Sequence, residues 1–84
     1  MPSDFAKEVK ERLEAVLPKV DTGVVVKGCN DHTFMRNTVM VVLSKKGEER
    51  SMPLDRETWE KTGCKTDDGA VTRFLNVIIA GFTR

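Results

Sequence analysis

Cys29, Asp31 and His32 form the most chemically varied cluster in this 84-residue sequence. A Cys-x-x-His spacing occurs in zinc sites, and Cys64 could supply a further ligand. A structural zinc site needs four ligands, however, whereas the chain contains only two cysteines and one histidine. We therefore expect no metal and no other cofactor. Both cysteines are predicted to be small buried apolar residues, and His32 is predicted to be a loop residue.

Cys29 and His32 are also the pair closest to a nucleophile and its base. A base so near in sequence reaches its nucleophile only if the loop between them bends back, and no signature of a catalytic cysteine surrounds Cys29. The glycines stand apart and form no phosphate-binding loop. Asp67 and Asp68 are typical of a helix start, so they provide no carboxylate pair for acid–base catalysis. These patterns predict a protein that is not an enzyme.

Phe34 and Met35 are large apolar residues inside a polar segment, residues 29–37. Such residues either fill the edge of the core, which is the more common outcome, or form a contact patch for a partner. Arg36 beside them would suit a contact patch, because arginine and aromatic residues are enriched at the energetic centres of protein interfaces. Phe34, Met35 and Arg36 are therefore the candidate residues for contact with a partner.

The best basic set lies in the middle of the chain and consists of Lys27, Arg36, Lys45, Lys46 and Arg50. Basic residues on a hairpin can contact phosphates, so this set is the candidate nucleic-acid contact. The alternative is a solvated turn whose lysines prevent edge-to-edge strand pairing. The net charge is only +1 and is spread evenly along the sequence, so no block of the chain carries the basic excess typical of nucleic-acid binding.

Length and composition limit the class of protein. Eighty-four residues provide a single hydrophobic core, so residues 1–84 are predicted to form one domain. The apolar run at residues 77–80 is far shorter than the ~20 residues needed to span a bilayer, and the charged N-terminal segment does not resemble a signal peptide. Two cysteines do not make a disulfide framework. We therefore expect a soluble, cytoplasmic protein that has no membrane contact.

The first half of the chain predicts a helix and a strand. Ser3 is placed to cap a helix whose apolar residues recur at spacings of three and four. Pro18 disfavours helical geometry at the residue before it, so the helix is predicted to end at Leu17. The β-branched run at residues 24–26 predicts a strand that ends by Gly28. Residues 29–37 are predicted to form a long loop or an irregular entry into the next strand.

The clearest signal is a β-hairpin over residues 38–54. Residues 39–43 are apolar at both odd and even positions, so both faces of a strand formed there would be apolar. The first strand, residues 38–44, is therefore predicted to be central with both faces covered. A glycine-containing turn leads to the return strand at residues 49–54. Pro53 cannot donate to a neighbouring strand, which predicts that the return strand ends there or lies at an edge.

Two helices complete the predicted fold. Asp55 and Gly63 mark the ends of a short helix that carries Trp59, which is predicted to hold this helix to the sheet. The last helix starts near Asp67 and has a wide apolar arc formed by Ala70, Val71, Phe74, Leu75, Val77, Ile78 and Phe82. Its predicted solvent-facing residues are Thr72, Arg73, Asn76 and Thr83. The result is an α+β fold in the order α-β-β-β-α-α, with a small, three-stranded, mostly antiparallel sheet on which the N- and C-terminal helices pack.

The helix-strand-strand-strand-helix order resembles that of the double-stranded-RNA-binding domain in topology. That family begins its last helix with a lysine-rich segment. Here the corresponding position carries Thr66, Asp67 and Asp68, whose acidic side chains would repel a phosphate. The resemblance therefore extends to the order of elements and not to the RNA contact.

The sequence leaves three hypotheses for the function. The first is a non-catalytic interaction module that binds another protein or its own copy through the hairpin edge, the loop of Phe34 and Met35, or surplus apolar surface on the last helix. The second is nucleic-acid binding through the basic set. The third, an enzyme or metal protein built on Cys29, His32 and Cys64, has the least support. We predict the interaction module.

Overall fold

Three antiparallel strands form one open sheet in the computed structural model, which describes residues 3–82. The elements follow in the order α1 (Asp4–Val20), β1 (Val24–Asp31), β2 (Thr38–Lys45), β3 (Glu48–Asp55), α2 (Arg56–Lys61) and α3 (Asp68–Ile79). β2 is central and pairs with β1 on one side and β3 on the other. The predicted α+β fold and its α-β-β-β-α-α order are confirmed.

Helix α1 begins as predicted and ends later than predicted. The Ser3 hydroxyl accepts a hydrogen bond from the Ala6 N–H, as expected of an N-cap. The helix continues through Pro18 to Val20, so the predicted end at Leu17 is wrong. Pro18 falls in the last turn, where the missing N–H removes a single hydrogen bond, and the helix is closed by the Asp21 N–H donating to the Leu17 carbonyl.

Strand β1 also runs further than predicted. It continues past Gly28 to Asp31, and Cys29 pairs with Val41 of β2, so the predicted start of the loop at Cys29 is wrong. The register shifts between Val26 and Gly28, which places Lys27 in a β-bulge. A bulge absorbs one residue without ending the pairing, so a polar and glycine-containing sequence is still accommodated in this edge strand.

The hairpin between β2 and β3 is tight. Lys46 and Gly47 form its turn and have positive φ angles of 51° and 82°, which match the two-residue turn that suits the twist of antiparallel strands. Pro53 lies opposite Met40 in β3, an edge strand, as predicted. Its missing N–H therefore leaves no gap inside the sheet.

The core lies between the sheet and helices α1 and α3. Val39, Val41 and Leu43 of β2 are completely buried on this side. On the opposite side Met40 and Val42 are half-buried and Val25 is 58% exposed. The prediction that both faces of β2 are covered is therefore wrong for the described residues, because both long helices pack against the same face.

The helices after the sheet differ in how completely they are buried. Trp59 of α2 is fully buried, which confirms its predicted role in the core. In α3 most of the predicted apolar arc is buried, but Val77 is 61% exposed and Phe74 is half-buried, so the arc is wider than the surface that covers it. Thr83 lies outside the described residues. Between residues 3 and 82 no helix combines the length and apolar character needed to cross a membrane.

Candidate functional site

The loop between β1 and β2, residues 32–37, is anchored at both of its ends. The His32 N–H donates to the Thr38 carbonyl (2.8 Å), and the Thr38 hydroxyl donates to the Arg36 carbonyl (3.0 Å). The Asn37 carbonyl accepts from the Arg56 N–H at the start of α2 (2.7 Å). Asn37 has a positive φ of 53°, a conformation that asparagine tolerates better than most residues. These bonds give the loop a defined shape.

His32 organises the tip of this loop. Its Nδ1 atom accepts hydrogen bonds from the N–H groups of Phe34 and Met35, each at 3.1 Å. A ring that accepts at Nδ1 has Nε2 as its donor atom. The imidazole also meets the Phe34 ring edge-on, with 6.4 Å between the ring centroids. The role of His32 in this structure is to hold the backbone of the residues that follow it.

Asp31 links the base of the loop to helix α1. Its carboxylate accepts hydrogen bonds from both the Ser3 N–H and the Ser3 hydroxyl. The same hydroxyl caps α1, so the helix start and the loop base are joined through one residue. The negative charge of Asp31 is therefore engaged within the protein.

The loop holds its two apolar residues outside the core. The Phe34 side chain is 90% exposed and the Met35 side chain is 52% exposed. The alternative that they fill the edge of the core is thus excluded for this structure. Phe34 and Met35 thus form an adjacent pair of exposed apolar residues in a small domain, which needs much of its apolar surface for the core.

A pocket of about 400 Å³ lies beside the loop and extends to the start of α1 and to Arg56. Arg36 and Arg56 both line it. The Arg56 guanidinium lies over the Phe5 ring, 5.0 Å from its centroid. Within residues 3–82 neither arginine has a carboxylate within 4.0 Å. The pocket therefore presents two guanidinium groups without a charge partner next to an exposed aromatic ring.

The basic set predicted for nucleic acid is divided by the fold. Lys27 pairs with Glu49 and Lys45 pairs with Asp21, each at 3.0 Å, and Arg50 pairs with Glu48 at 3.1 Å. Arg50 also donates to the Gly81 carbonyl.

The two other members of the set, Arg36 and Lys46, are far apart. Arg36 precedes β2 and Lys46 follows it, so an eight-residue strand, roughly 26 Å long, separates them. The structure brings three of the five bases against acids and leaves the other two at opposite ends of the sheet.

The two cysteines are buried and free, as predicted. Cys29 lies on the core side of β1, and the Cys64 Sγ atom is 3.2 Å from the Thr62 hydroxyl. Burial raises the pKa of the Cys29 thiol to about 11, and the nearby charge of Asp31 acts in the same direction. In the part of the chain that the structure describes, no three His, Cys, Asp or Glu residues are grouped as metal ligands. Cys29 therefore has the environment of an inert thiol.

Cys29 is expected to make stability depend on alkaline pH. Its folded-state pKa of about 11 lies above the ordinary value of 9.0, so the folded protein keeps the thiol proton longer than the unfolded chain does. The resulting stabilisation is complete below pH 9 and is lost as the pH rises toward 11. The urea midpoint should fall more steeply over this range for the wild type than for Cys29→Val, which has no thiol there. Equal slopes for the two proteins would contradict the assignment.

Two members of the candidate site were not predicted from the sequence. The sequence predicts His32 to be a loop residue and gives no functional signal for Arg56. Arg56 has no local sequence signal because it reaches the pocket only after β3 brings the chain back to the end of the sheet that carries the loop. The polar pair of Asp31 and Ser3 is likewise formed by residues far apart in sequence.

Comparison with known proteins gives no relative. No family model matches the sequence, and no curated protein or solved structure matches it either.

Proposed function

We propose that the protein is a small non-catalytic interaction module that binds another protein through Phe34, Met35, Arg36 and Arg56, here called the loop surface. The observation that carries the proposal is the 90% exposure of Phe34 on a loop fixed by hydrogen bonds. Because the loop is already ordered, a partner would not have to spend binding free energy on ordering it. Exposed aromatic and arginine side chains are also the residue types that contribute most at interfaces.

The charges of the loop surface indicate the chemistry of its partner. Arg36 and Arg56 have no carboxylate within ion-pair distance among residues 3–82, and the Asp31 carboxylate is engaged by Ser3. A guanidinium group binds a carboxylate through two parallel hydrogen bonds. The partner that fits is a protein segment with an acidic residue next to an apolar side chain, which would lie against Phe34.

Nucleic-acid binding through Lys27, Arg36, Lys45, Lys46 and Arg50 has less support. Three of the five bases are already paired with acids, and the other two lie at opposite ends of β2. A phosphate backbone needs several free positive charges along one path.

Both cysteines are free thiols, which supports a reducing compartment such as the cytoplasm for the interaction.

Selection from a random peptide library displayed on phage tests the loop surface. We expect the enriched peptides to share an acidic residue close to an aromatic or aliphatic one. Phe34→Ser should weaken the binding of such a peptide by about 30-fold, the effect of removing an interface residue worth about 2 kcal/mol. Arg36→Gln combined with Arg56→Gln should weaken it further and remove most of its dependence on salt.

Val77→Ser is the matched control, because Val77 is also an exposed apolar residue but belongs to α3. It should leave peptide affinity unchanged. Circular dichroism should show that each variant keeps its fold. The proposal is wrong if the selected peptides bind Phe34→Ser as tightly as the wild type, or if short RNA or DNA binds at low salt and Lys45→Glu with Lys46→Glu abolishes that binding.

A further inference from the structure

The sheet has a second face that no helix among the described residues covers. Its side chains alternate with those of the core, and the strand register brings Met40 opposite Pro53 and Val42 opposite Ser51. Val25 of β1 is 58% exposed on this face. Together Val25, Met40, Val42 and Pro53 give the face an apolar centre, here called the open face.

The sequence of β2 differs from what a half-exposed strand requires. A strand with one face in water normally alternates apolar and polar residues, whereas residues 39–43 are apolar at every position. Val39, Val41 and Leu43 serve the core, which leaves Met40 and Val42 without an intramolecular layer to pack against. The composition of the strand is that of one buried on both sides.

One ion pair crosses the open face. Lys27, in the bulge of β1, meets Glu49 of β3 at 3.0 Å, although β2 lies between their strands. The face therefore carries a positive charge from one edge and a negative charge from the other, at the same level along β2. Both side chains remain half or more exposed, at 59% and 51%.

This charge pattern is self-complementary. If two copies stack face to face about a two-fold axis that runs along β2, β1 of each copy lies over β3 of the other. The Lys27–Glu49 pair within each copy is then exchanged for two such pairs between the copies, and Val42 and Met40 pack against the same residues of the second copy. Sheets packed face to face normally keep their strands within about 30° of each other, which this axis permits.

We propose that the open face is a self-association surface through which two copies of this chain form a symmetric dimer. The occupant is a second copy because the apolar centre and the two opposite charges of this face complement themselves. Three strands of eight residues present roughly 350 Å² per copy, which is well below the ~800 Å² of a standard interface. The dimer should therefore be weak and should form as the concentration rises from micromolar to millimolar.

Sedimentation velocity over that concentration range provides the first test. We expect the mean mass of the wild type to rise from that of a monomer toward twice that value. Val42→Lys places a charge at the centre of the open face and should remain monomeric. Val77→Lys, which places the same charge on exposed α3, should still dimerise. A wild type that stays monomeric throughout would overturn the proposal.

A charge exchange tests the geometry of the dimer. Lys27→Glu alone and Glu49→Lys alone should each lose the dimer, since both contacts between the copies become repulsive. An equal mixture of these two variants should dimerise, because both contacts are then attractive, and the double variant should dimerise by itself. If the wild type dimerises and the mixture does not, the proposed arrangement is wrong.

Phe34→Ser separates this proposal from the function proposed for the loop surface. It should leave dimerisation intact, because the loop lies outside the open face. Loss of the dimer in Phe34→Ser, together with its retention in Val42→Lys, would place self-association at the loop and would overturn the proposal for the sheet.

Discussion

Trp59→Ala is expected to lower the free energy of unfolding by about 3–5 kcal/mol, the usual cost of removing a buried aromatic side chain. Trp59 is completely buried and meets the Phe5 ring edge-on, with 6.3 Å between their centroids. Its indole N–H donates to the Glu8 carboxylate at 2.8 Å. The substitution therefore leaves a cavity beneath α2 and removes the hydrogen bond that joins α2 to α1.

The size of this loss matters because the domain is small. A chain of 84 residues has a total stability of roughly 4–13 kcal/mol, so the substitution removes a large share of it. Helix α2 has only six residues and is too short to persist without tertiary contacts. Urea unfolding followed by far-ultraviolet circular dichroism measures the effect, since Trp59 is the only tryptophan and the variant lacks its fluorescence.

Two further variants separate the contribution of the aromatic ring from that of its hydrogen bond and provide a control. Trp59→Phe keeps an aromatic ring and loses the bond to Glu8, so we expect it to cost less than Trp59→Ala. Glu60→Ala changes the neighbouring exposed residue and should alter stability by no more than about 0.5 kcal/mol. A Trp59→Ala variant within about 1 kcal/mol of the wild type would show that α2 is held mainly by other contacts.

The parts of the fold that were predictable from sequence have local causes. The apolar run of β2, the turn at Gly47 and the cap at Ser3 each depend on residues that are adjacent in the chain. The predictions that were wrong concern segments in which the local conformational preference of the residues competes with strand pairing. The β-bulge at Lys27 let β1 extend through Cys29 to Asp31, although the sequence there is polar and favours a loop.

The candidate site was only half predictable for a related reason. Phe34, Met35 and Arg36 are consecutive and stand out in a polar segment, so the sequence alone makes them candidates, and the structure shows that Phe34 and Met35 are exposed. The pocket also needs Arg56, which comes from the start of α2. Which residues meet across such distances depends on strand register and on the lengths of the connections, and no single sequence pattern encodes both.

The coverage of β2 shows a different limit. Its apolar sequence correctly predicted a central strand, but it did not specify whether the second layer belongs to the same chain. Helices α1 and α3 both pack on one face, so the apolar residues of the other face are left for another molecule or for water. An intermolecular layer and an intramolecular layer place the same demand on the strand, and sequence periodicity alone does not distinguish them.

Leu75→Ala is expected to lower the free energy of unfolding by about 2–5 kcal/mol, because it creates a cavity where α3 meets the core. Leu75 is completely buried in the hydrophobic core that α3 shares with α1 and the sheet. Val77, two residues further along the same helix, is 61% exposed. A single helix thus offers a buried and an exposed apolar residue for direct comparison by urea unfolding.

Val77→Ser should change stability by no more than about 0.5 kcal/mol, since the side chain already contacts water and valine and serine have similar helix propensities. A large difference between the two substitutions in the free energy of unfolding would locate the stabilising face of α3. It would also show that the apolar arc of this helix extends beyond the core. If instead Val77→Ser costs as much as Leu75→Ala at every protein concentration, Val77 is covered within the same chain. If its cost appears only at high concentration, a second copy covers α3, and the surface of self-association lies on this helix rather than on the sheet.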